Sequence, residues 1–198
     1  MKYVSKEGSG KYIEKNSEFI SLCFSVLSLS DFNTKFSKIK EIYKDATHYP
    51  FALRILNENG ILYEKFSDSK EPYGTAGIPM LELLKANFII NSAIVTVRYF
   101  GGTKLGKSNL LRAYLNVANS ALKNALFEEL REKVEFKIEL PYSYYERIKH
   151  IIEEKKIDIL NRKFGELVVI DFKVPKDCKN SIISELKNNI PIIKIQEK

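Results

Sequence analysis

Two hydrophobic periods alternate along the first 130 residues, and together they predict an α+β fold for this part of the chain. Short apolar runs, rich in β-branched and aromatic residues, predict strands at residues 19–29, 51–56, 61–66 and 93–100. The second and third runs flank Asn59-Gly60, a pair that supplies the positive φ angles of a tight hairpin turn. Apolar residues at helical spacing predict helices that begin near Ser30, near Pro79 and near Ser108.

Residues 131–198 carry a second, shorter set of elements. Apolar or alternating runs predict strands at residues 134–140, 157–164, 166–174 and 191–195. Two helices are predicted between them, the first opened by the capping box Ser143-x-x-Glu146 and the second capped by Asp177. The resulting order, β-α-β-β-α-β, is typical of a ferredoxin-like domain. The charged segment 127–133 predicts a linker, so we expect two domains, residues 1–130 and residues 131–198.

Composition is typical of a globular protein. Hydrophobic residues make up 44% of the sequence and charged residues 29%, which suffices for a packed core. No apolar run is long enough to span a bilayer, and the first residues lack the apolar stretch of a secretory signal, so we expect a cytoplasmic protein without membrane contact. The chain has two cysteines and two histidines, without a CxxC pair or a Cys/His cluster, and we expect neither a metal site nor a cofactor.

Positive charge is concentrated in one part of the sequence. The net charge is +7, and the stretch between Glu82 and Glu128 contains no acidic residue. Its basic residues are Lys85, Arg98, Lys104, Lys107, Arg112 and Lys123. Such a stretch attracts phosphates, nucleic acid or acidic protein surfaces, although a solvated basic face would look the same in sequence.

A glycine loop lies inside this basic stretch. Residues 101–108 fit the phosphate-binding pattern Gly-x4-Gly-Lys-Ser/Thr and stand between a predicted strand and a predicted helix, as that pattern requires. A nucleotide triphosphatase would also need more parallel strands and a magnesium-binding aspartate. The best candidate, Asp171, falls in a predicted antiparallel hairpin of the second domain, where we expect it to point into solvent. A triphosphatase is therefore the second choice.

Four motifs occur in order along the first domain and are more specific than the loop alone. They are residues 15–20 (KNSEFI), Ala46-Thr47-His48 with Ala52 and Arg54, residues 71–81 (EPYGTAGIPML), and residues 97–106 (VRYFGGTKLG) followed by 110–114 (LLRAY). Together they resemble the signature of the YigZ/Impact family. The sequence departs from that pattern at Ser69-Lys70, where the family usually has Asp-Gly, and at Ser108-Asn109, where it usually has Gly-Gly. The second departure, with Lys107, creates the match to the phosphate-binding pattern.

The resemblance implies a fold and a field of action. The first domain is expected to have a fold like the second domain of ribosomal protein S5, and the second to be the ferredoxin-like domain that bacterial members carry. Eukaryotic relatives act in translation control. For a bacterial member the resemblance implies binding of RNA, the ribosome or a translation-associated protein, without a settled activity. The alternatives are an enzyme or switch that binds a nucleotide or a phosphorylated metabolite at residues 101–108, and a protein that only meets other proteins.

Arg98, Lys104 and Arg112 are the first candidates for anion contacts, because they flank the glycine loop and can converge there. Further candidates for binding an anion or nucleic acid are Gly101, Gly102, Lys107, Thr75 and Arg54. The glycines are expected to serve backbone geometry, and Thr75 could instead close a turn.

Aromatic and acid–base candidates lie beside these residues. Tyr99 and Phe100 could stack on a base, although Phe100 is expected in the core. His48 and Glu71 could perform acid–base chemistry, but the sequence offers no nucleophile or metal site to complete a mechanism, which favours a structural histidine.

Overall fold

The computed structural model describes residues 1–57, 59–190 and 194–197, and it divides into two compact units, residues 1–130 and 131–198. The first unit contains β1 (Lys2–Lys6), β2 (Gly8–Glu14), β3 (Ser17–Ser25), α1 (Leu29–Ile42), β4 (Phe51–Leu56), β5 (Leu62–Ser67), α2 (Gly77–Ala86), β6 (Ser92–Tyr99), α3 (Lys107–Asn124) and β7 (Leu126–Glu129). The expected α+β class is confirmed. Within the described ranges, no helix is both long enough and apolar enough to cross a membrane.

A five-stranded antiparallel sheet, in the order β2-β3-β6-β4-β5, forms the centre of the first unit. Its middle strand, β6, is buried at every position except the last, which fits the continuous apolar run in the sequence. Helices α2 and α3 cover one face of the sheet, where Phe19, Cys23 and Ile94 join their core. Helix α1 covers the other face, where it packs on Leu53 and Val95.

The N-cap residue of α1 lies two residues before Ser30, which the sequence offered as the cap. The strand predicted at 19–29 ends at Ser25, and α1 begins at Leu29. Ser28, and not Ser30, caps the helix, because Ser28 Oγ accepts a hydrogen bond from the backbone N–H of Asp31 (3.1 Å).

The charged segment that predicted a linker is partly a strand. Residues Leu126–Glu129 form β7, which pairs antiparallel with β1 in a separate two-stranded sheet. The backbone N–H of Leu130 also donates to the carbonyl of Met1 (2.9 Å). The first and last strands of the first unit are thus hydrogen-bonded to each other.

The second unit contains β8 (Lys133–Leu140), a 3-10 turn (Tyr142–Tyr144), α4 (Tyr145–Glu154), β9 (Asp158–Phe164), β10 (Val168–Pro175), α5 (Lys179–Asn189) and β11 (Lys194–Glu197). Its antiparallel sheet has the order β11-β8-β10-β9, and α4 and α5 pack on it. The core side chains of β10 are Val168, Ile170, Phe172 and Val174, as their alternation predicted. Residues 191–193 of the predicted last strand lie outside the described residues.

Both helix caps predicted for the second unit are wrong. Helix α4 follows the 3-10 turn and begins after Tyr144, without a side-chain cap from Ser143. Helix α5 begins after Cys178, so Asp177 lies one residue before the cap position. In both places a backbone turn precedes the helix: the N–H of Tyr144 donates to the Pro141 carbonyl (3.0 Å), and the N–H of Cys178 donates to the Pro175 carbonyl (3.1 Å).

Candidate anion-binding site

The glycine loop connects the central strand β6 to the N-terminus of α3. The predicted strand-loop-helix context is therefore confirmed. Both neighbours of β6, however, run antiparallel to it, whereas the nucleotide triphosphatase scaffold requires parallel strands. Asp171 lies on the antiparallel strand β10 of the second unit and is half-buried, not fully in solvent. The match to the phosphate-binding pattern therefore stands on a different scaffold.

Close packing explains why the loop begins with glycine. A Cβ atom on Gly101 would lie 2.1 Å from the backbone carbon of Asn16, in the turn between β2 and β3. The Gly101 backbone N–H also donates to Ser17 Oγ (3.1 Å). Gly102 and Gly106 have φ angles of +84° and +80°, which side chains rarely adopt. The glycines thus hold the loop against the sheet and turn it into α3.

The N-terminus of α3 is electropositive and open. Gly106 occupies the cap position, so no side chain caps the helix, and its first turn holds no acidic residue. Lys104 and Lys107 are exposed on either side of this terminus, and we call this pair the lysine rim. Free backbone N–H groups, the helix dipole and two ammonium groups together favour an anion.

A cavity of about 320 Å³ opens beside the lysine rim. Its apolar wall is formed by Pro72, Phe100, Leu105 and Leu110. His48, Glu71 and Arg98, which we call the cavity floor, also line it, as do Thr47 and the rim itself. Phe100 is 43% exposed, so the expectation that it belongs to the core is wrong. Its backbone N–H is held by Thr47 Oγ1 (3.2 Å), which keeps the ring at the cavity and out of the sheet core.

Glu71 is the acceptor at the centre of the cavity floor. One carboxylate oxygen of Glu71, Oε1, accepts from Arg98 Nη1 (2.6 Å) and from the Tyr114 hydroxyl (2.6 Å). Arg98 is only 4% exposed, and its guanidinium lies 5.1 Å from the ring centre of Phe19 and 5.4 Å from that of Phe100. Burial, followed by the charge of Glu71, raises the pKa of Tyr114 far above its ordinary value. The Tyr114 hydroxyl therefore stays protonated and donates to Glu71.

His48 is oriented by the loop that leads to Glu71. Its Nδ1 lies 2.8 Å from the Ser69 carbonyl, which can only accept, so Nδ1 carries a proton. The other nitrogen, Nε2, lies 3.8 Å from Glu71 Oε1. Ser69 and Lys70 have φ angles of 49° and 67°, in the left-handed region that glycine adopts without strain.

Asp68 organises the same loop, and its role was missed in the sequence. Its carboxylate accepts hydrogen bonds from the backbone N–H groups of Gly74 (2.9 Å), Ala76 (3.0 Å) and Gly77 (2.8 Å). It therefore satisfies the N-terminus of α2 from outside the helix. An acidic residue shortly before a run of glycine and threonine was the available signal, but the contacts span up to nine residues.

The structure brings together six of the side chains singled out in the sequence: Lys104, Lys107, Arg98, His48, Glu71 and Phe100. Gly101 and Gly102 lie in the loop beside them.

The other candidates lie apart from the cavity. Arg112 is exposed on α3 and does not line it. Arg54 donates from Nε to Glu64 (2.9 Å) and from Nη1 to the Ile89 carbonyl (2.9 Å), and thus braces the sheet edge. Thr75 is buried and donates to the Pro72 carbonyl (2.6 Å), which closes the turn. The expected convergence of Arg112 with Arg98 and Lys104 is therefore not seen.

Two known domain families match parts of this chain. Residues 15–122 match the Impact N-terminal domain, and residues 138–189 match a domain of unknown function, DUF1949. A solved structure described as a hypothetical protein superposes with a TM-score of 0.74 at 22% identity and covers 99% of this chain and 95% of its own, which shows the same fold.

Curated relatives give the family. An IMPACT family member of Haemophilus influenzae is 31% identical over 172 residues, which is 87% of this chain and 84% of that protein. The IMPACT family member YvyE of Bacillus subtilis is 29% identical over 194 residues, or 96% of this chain and 88% of that protein. The chain belongs to the IMPACT family.

Proposed function

We propose that this IMPACT family member binds single-stranded RNA at the cavity beside the N-terminus of α3. One arrangement carries the proposal: an exposed aromatic ring, Phe100, stands next to the exposed lysine rim and an uncapped helix N-terminus. Recognition of unpaired RNA combines these two kinds of group, since bases stack on aromatic rings while cations and helix N-termini hold phosphates.

Each group has its own part in the proposed binding. The Arg98 guanidinium lies behind the Phe100 ring at 5.4 Å and fixes its place, so the ring presents a rigid face. Leu105 and Leu110 continue the apolar wall on which a base could rest. Lys104 and Lys107 contact phosphates, and Arg98 supports the site from below, because its guanidinium is engaged by Glu71.

The setting of the proposal comes from the family resemblance. A ribosomal or translation-associated RNA, met in the cytoplasm, is the partner that the resemblance favours. We likewise propose residues 1–130 as a domain like the second domain of ribosomal protein S5, and residues 131–198 as a ferredoxin-like domain. Their strand orders, β2-β3-β6-β4-β5 and β11-β8-β10-β9, support this assignment.

A salt series with a fluorescent single-stranded RNA tests the proposal. We expect the Lys104→Ala/Lys107→Ala variant to bind at least about tenfold more weakly near 50 mM salt, and its salt slope to fall by about 1.4, or about 0.7 for each lost phosphate contact. Lys38→Ala/Lys65→Ala removes the same charge from exposed positions on α1 and β5, which do not line the cavity, and should bind like the unmodified protein. Equal binding by both double variants would overturn the proposal.

The cavity itself favours a second candidate function. A volume of about 320 Å³ suits a nucleotide or a phosphorylated metabolite, and His48 and Glu71 stand where acid–base chemistry would take place. If this second function is correct, we expect calorimetry to show saturable, magnesium-dependent binding of ATP or GTP. We also expect the His48→Ala variant to lose any turnover of the bound nucleotide or metabolite. Displacement of RNA by a nucleotide would mean that both ligands bind at one site. Binding of RNA without binding of a nucleotide would rule out the function as a nucleotide-dependent enzyme.

A further inference from the structure

Three aromatic side chains contact one another at the surface of the second unit. The ring centres of Tyr142 and Tyr145 lie 6.1 Å apart in a stacked pair, and Phe164 meets Tyr142 at 6.3 Å and Tyr145 at 5.1 Å, edge to face. Tyr142 is 66% exposed and Phe164 is 58% exposed. We call these three residues the aromatic platform.

Local structure holds the platform in place. Tyr142 lies in the 3-10 turn after β8, Tyr145 opens α4, and Phe164 ends β9, which lies at the edge of the sheet. Tyr145 packs against the core of the second unit, so it anchors the two more exposed rings. Large rings in mutual contact lose little further conformational freedom when a flat ligand stacks on them.

One cation lies beside the rings. Arg162 Nη1 donates to the Tyr145 hydroxyl (3.3 Å), and Arg162 shares one face of β9 with Phe164, because side chains alternate along a strand. Lys163 lies on the opposite face of β9, and the exposed Glu166 follows in the turn after the strand. Glu146 on α4 is paired with Lys149 (3.4 Å). The guanidinium of Arg162 is thus placed to attract an anion to the rings.

We propose that the aromatic platform is a second binding site for single-stranded nucleic acid, on which unpaired bases stack on Tyr142 and Phe164 while Arg162 contacts a phosphate. Exposed rings beside an arginine are the pattern that such ligands use. The site shares no residue with the cavity of the first unit, so it goes beyond the function proposed above and does not depend on it.

A tryptophan reporter tests this site directly. The chain contains no tryptophan, so Phe164→Trp places a single one in the platform. Titration with an unlabelled single-stranded hexanucleotide should quench its fluorescence in a saturable way, because a base stacks on the indole. The same quenching should persist after Lys104→Ala/Lys107→Ala, which separates this site from the cavity. Phe88→Trp, an exposed aromatic position of the first unit, controls for collisional quenching and should not saturate.

A second substitution keeps the test specific. Tyr142→Ala in the Phe164→Trp protein should weaken hexanucleotide binding at least about fivefold, with the unfolding transition unchanged, because Tyr142 is exposed. Duplex RNA, whose bases are already stacked, should quench little. Absence of saturable quenching, or equal quenching by duplex and single strand, would overturn the proposal. The aromatic platform would then be better explained as a contact surface for an apolar part of another protein.

Discussion

The floor and the rim of the cavity use the same charge for different purposes. Arg98 in the floor is 4% exposed and donates to Glu71 at 2.6 Å, whereas Lys104 and Lys107 in the rim are exposed. In the sequence all three are basic residues near one glycine loop. The difference teaches that a buried cation is held by a carboxylate and stabilises the fold, while an exposed cation beside a helix N-terminus is available to a ligand.

Removing the floor cation should have the largest effect on stability. Arg98→Ala leaves the buried carboxylate of Glu71 with only a neutral donor, Tyr114, and we expect the free energy of unfolding to fall by about 3–5 kcal/mol. Urea denaturation measures the loss. In a double-mutant cycle, Glu71→Gln should destabilise the Arg98→Ala protein less than it destabilises the unmodified one. A loss below about 1 kcal/mol would mean that Arg98 does not brace the fold.

A substitution that displaces the lysine rim but leaves the cavity floor intact should lower the free energy of unfolding by a smaller amount. Gly101→Ala places a Cβ about 2.1 Å from the backbone of Asn16, so the loop must shift, and we expect a loss of about 1–3 kcal/mol. RNA affinity should also fall, because Lys104 lies in this loop and moves when the loop shifts. Thr103→Ala, at an exposed position of the same loop, is the matched control and should change neither quantity.

The Tyr114 hydroxyl gives the floor a pH signature. Tyr114→Phe should lower the free energy of unfolding by about 1–2 kcal/mol at pH 7, because Glu71 loses a donor. The pKa of Tyr114 is raised in the folded protein above its ordinary value of 10.0, so the stability it contributes is complete below pH 10 and is lost as the pH rises further. The difference in free energy of unfolding between the unmodified protein and Tyr114→Phe should therefore stay constant up to about pH 9 and narrow between about pH 10 and pH 11. A gap that stays constant in urea titrations across that range would contradict the assignment.

The rim should contribute least to stability. Lys104→Ala/Lys107→Ala should leave the urea midpoint unchanged, because both side chains are exposed and form no ion pair within the described part of the chain. The same variant is the one expected to lose RNA affinity. Thermal melts followed by circular dichroism measure the stability of this variant. A clear loss of stability would mean that the rim, like the floor, stabilises the fold.

Local patterns predicted much of the fold, because they depend on neighbours in sequence. The β4–β5 hairpin, the buried strand β6 and the long helix α3 all follow from periodicity and turn residues. The alternation of Val168 to Val174 likewise predicted the buried face of β10.

Contacts between distant residues account for what the sequence did not predict. Arg98 meets Glu71 across 27 residues and Arg54 meets Ile89 across 35, so no local pattern could assign these arginines to bracing rather than binding. The place of Phe100 depends on Thr47, which is 53 residues away. The convergence of Lys104 with Lys107 was predictable because both border one helix N-terminus.

The pairing of β1 with β7 has a consequence for how the protein is made. Tyr3 and Glu128 are hydrogen-bonded across 125 positions, so the first strand of the chain must wait for the end of the first unit to be synthesised. Until then its edge is without its partner, and a growing chain can only close this ribbon after β7 has left the ribosome. The ribbon can therefore close only after translation has passed into the second unit.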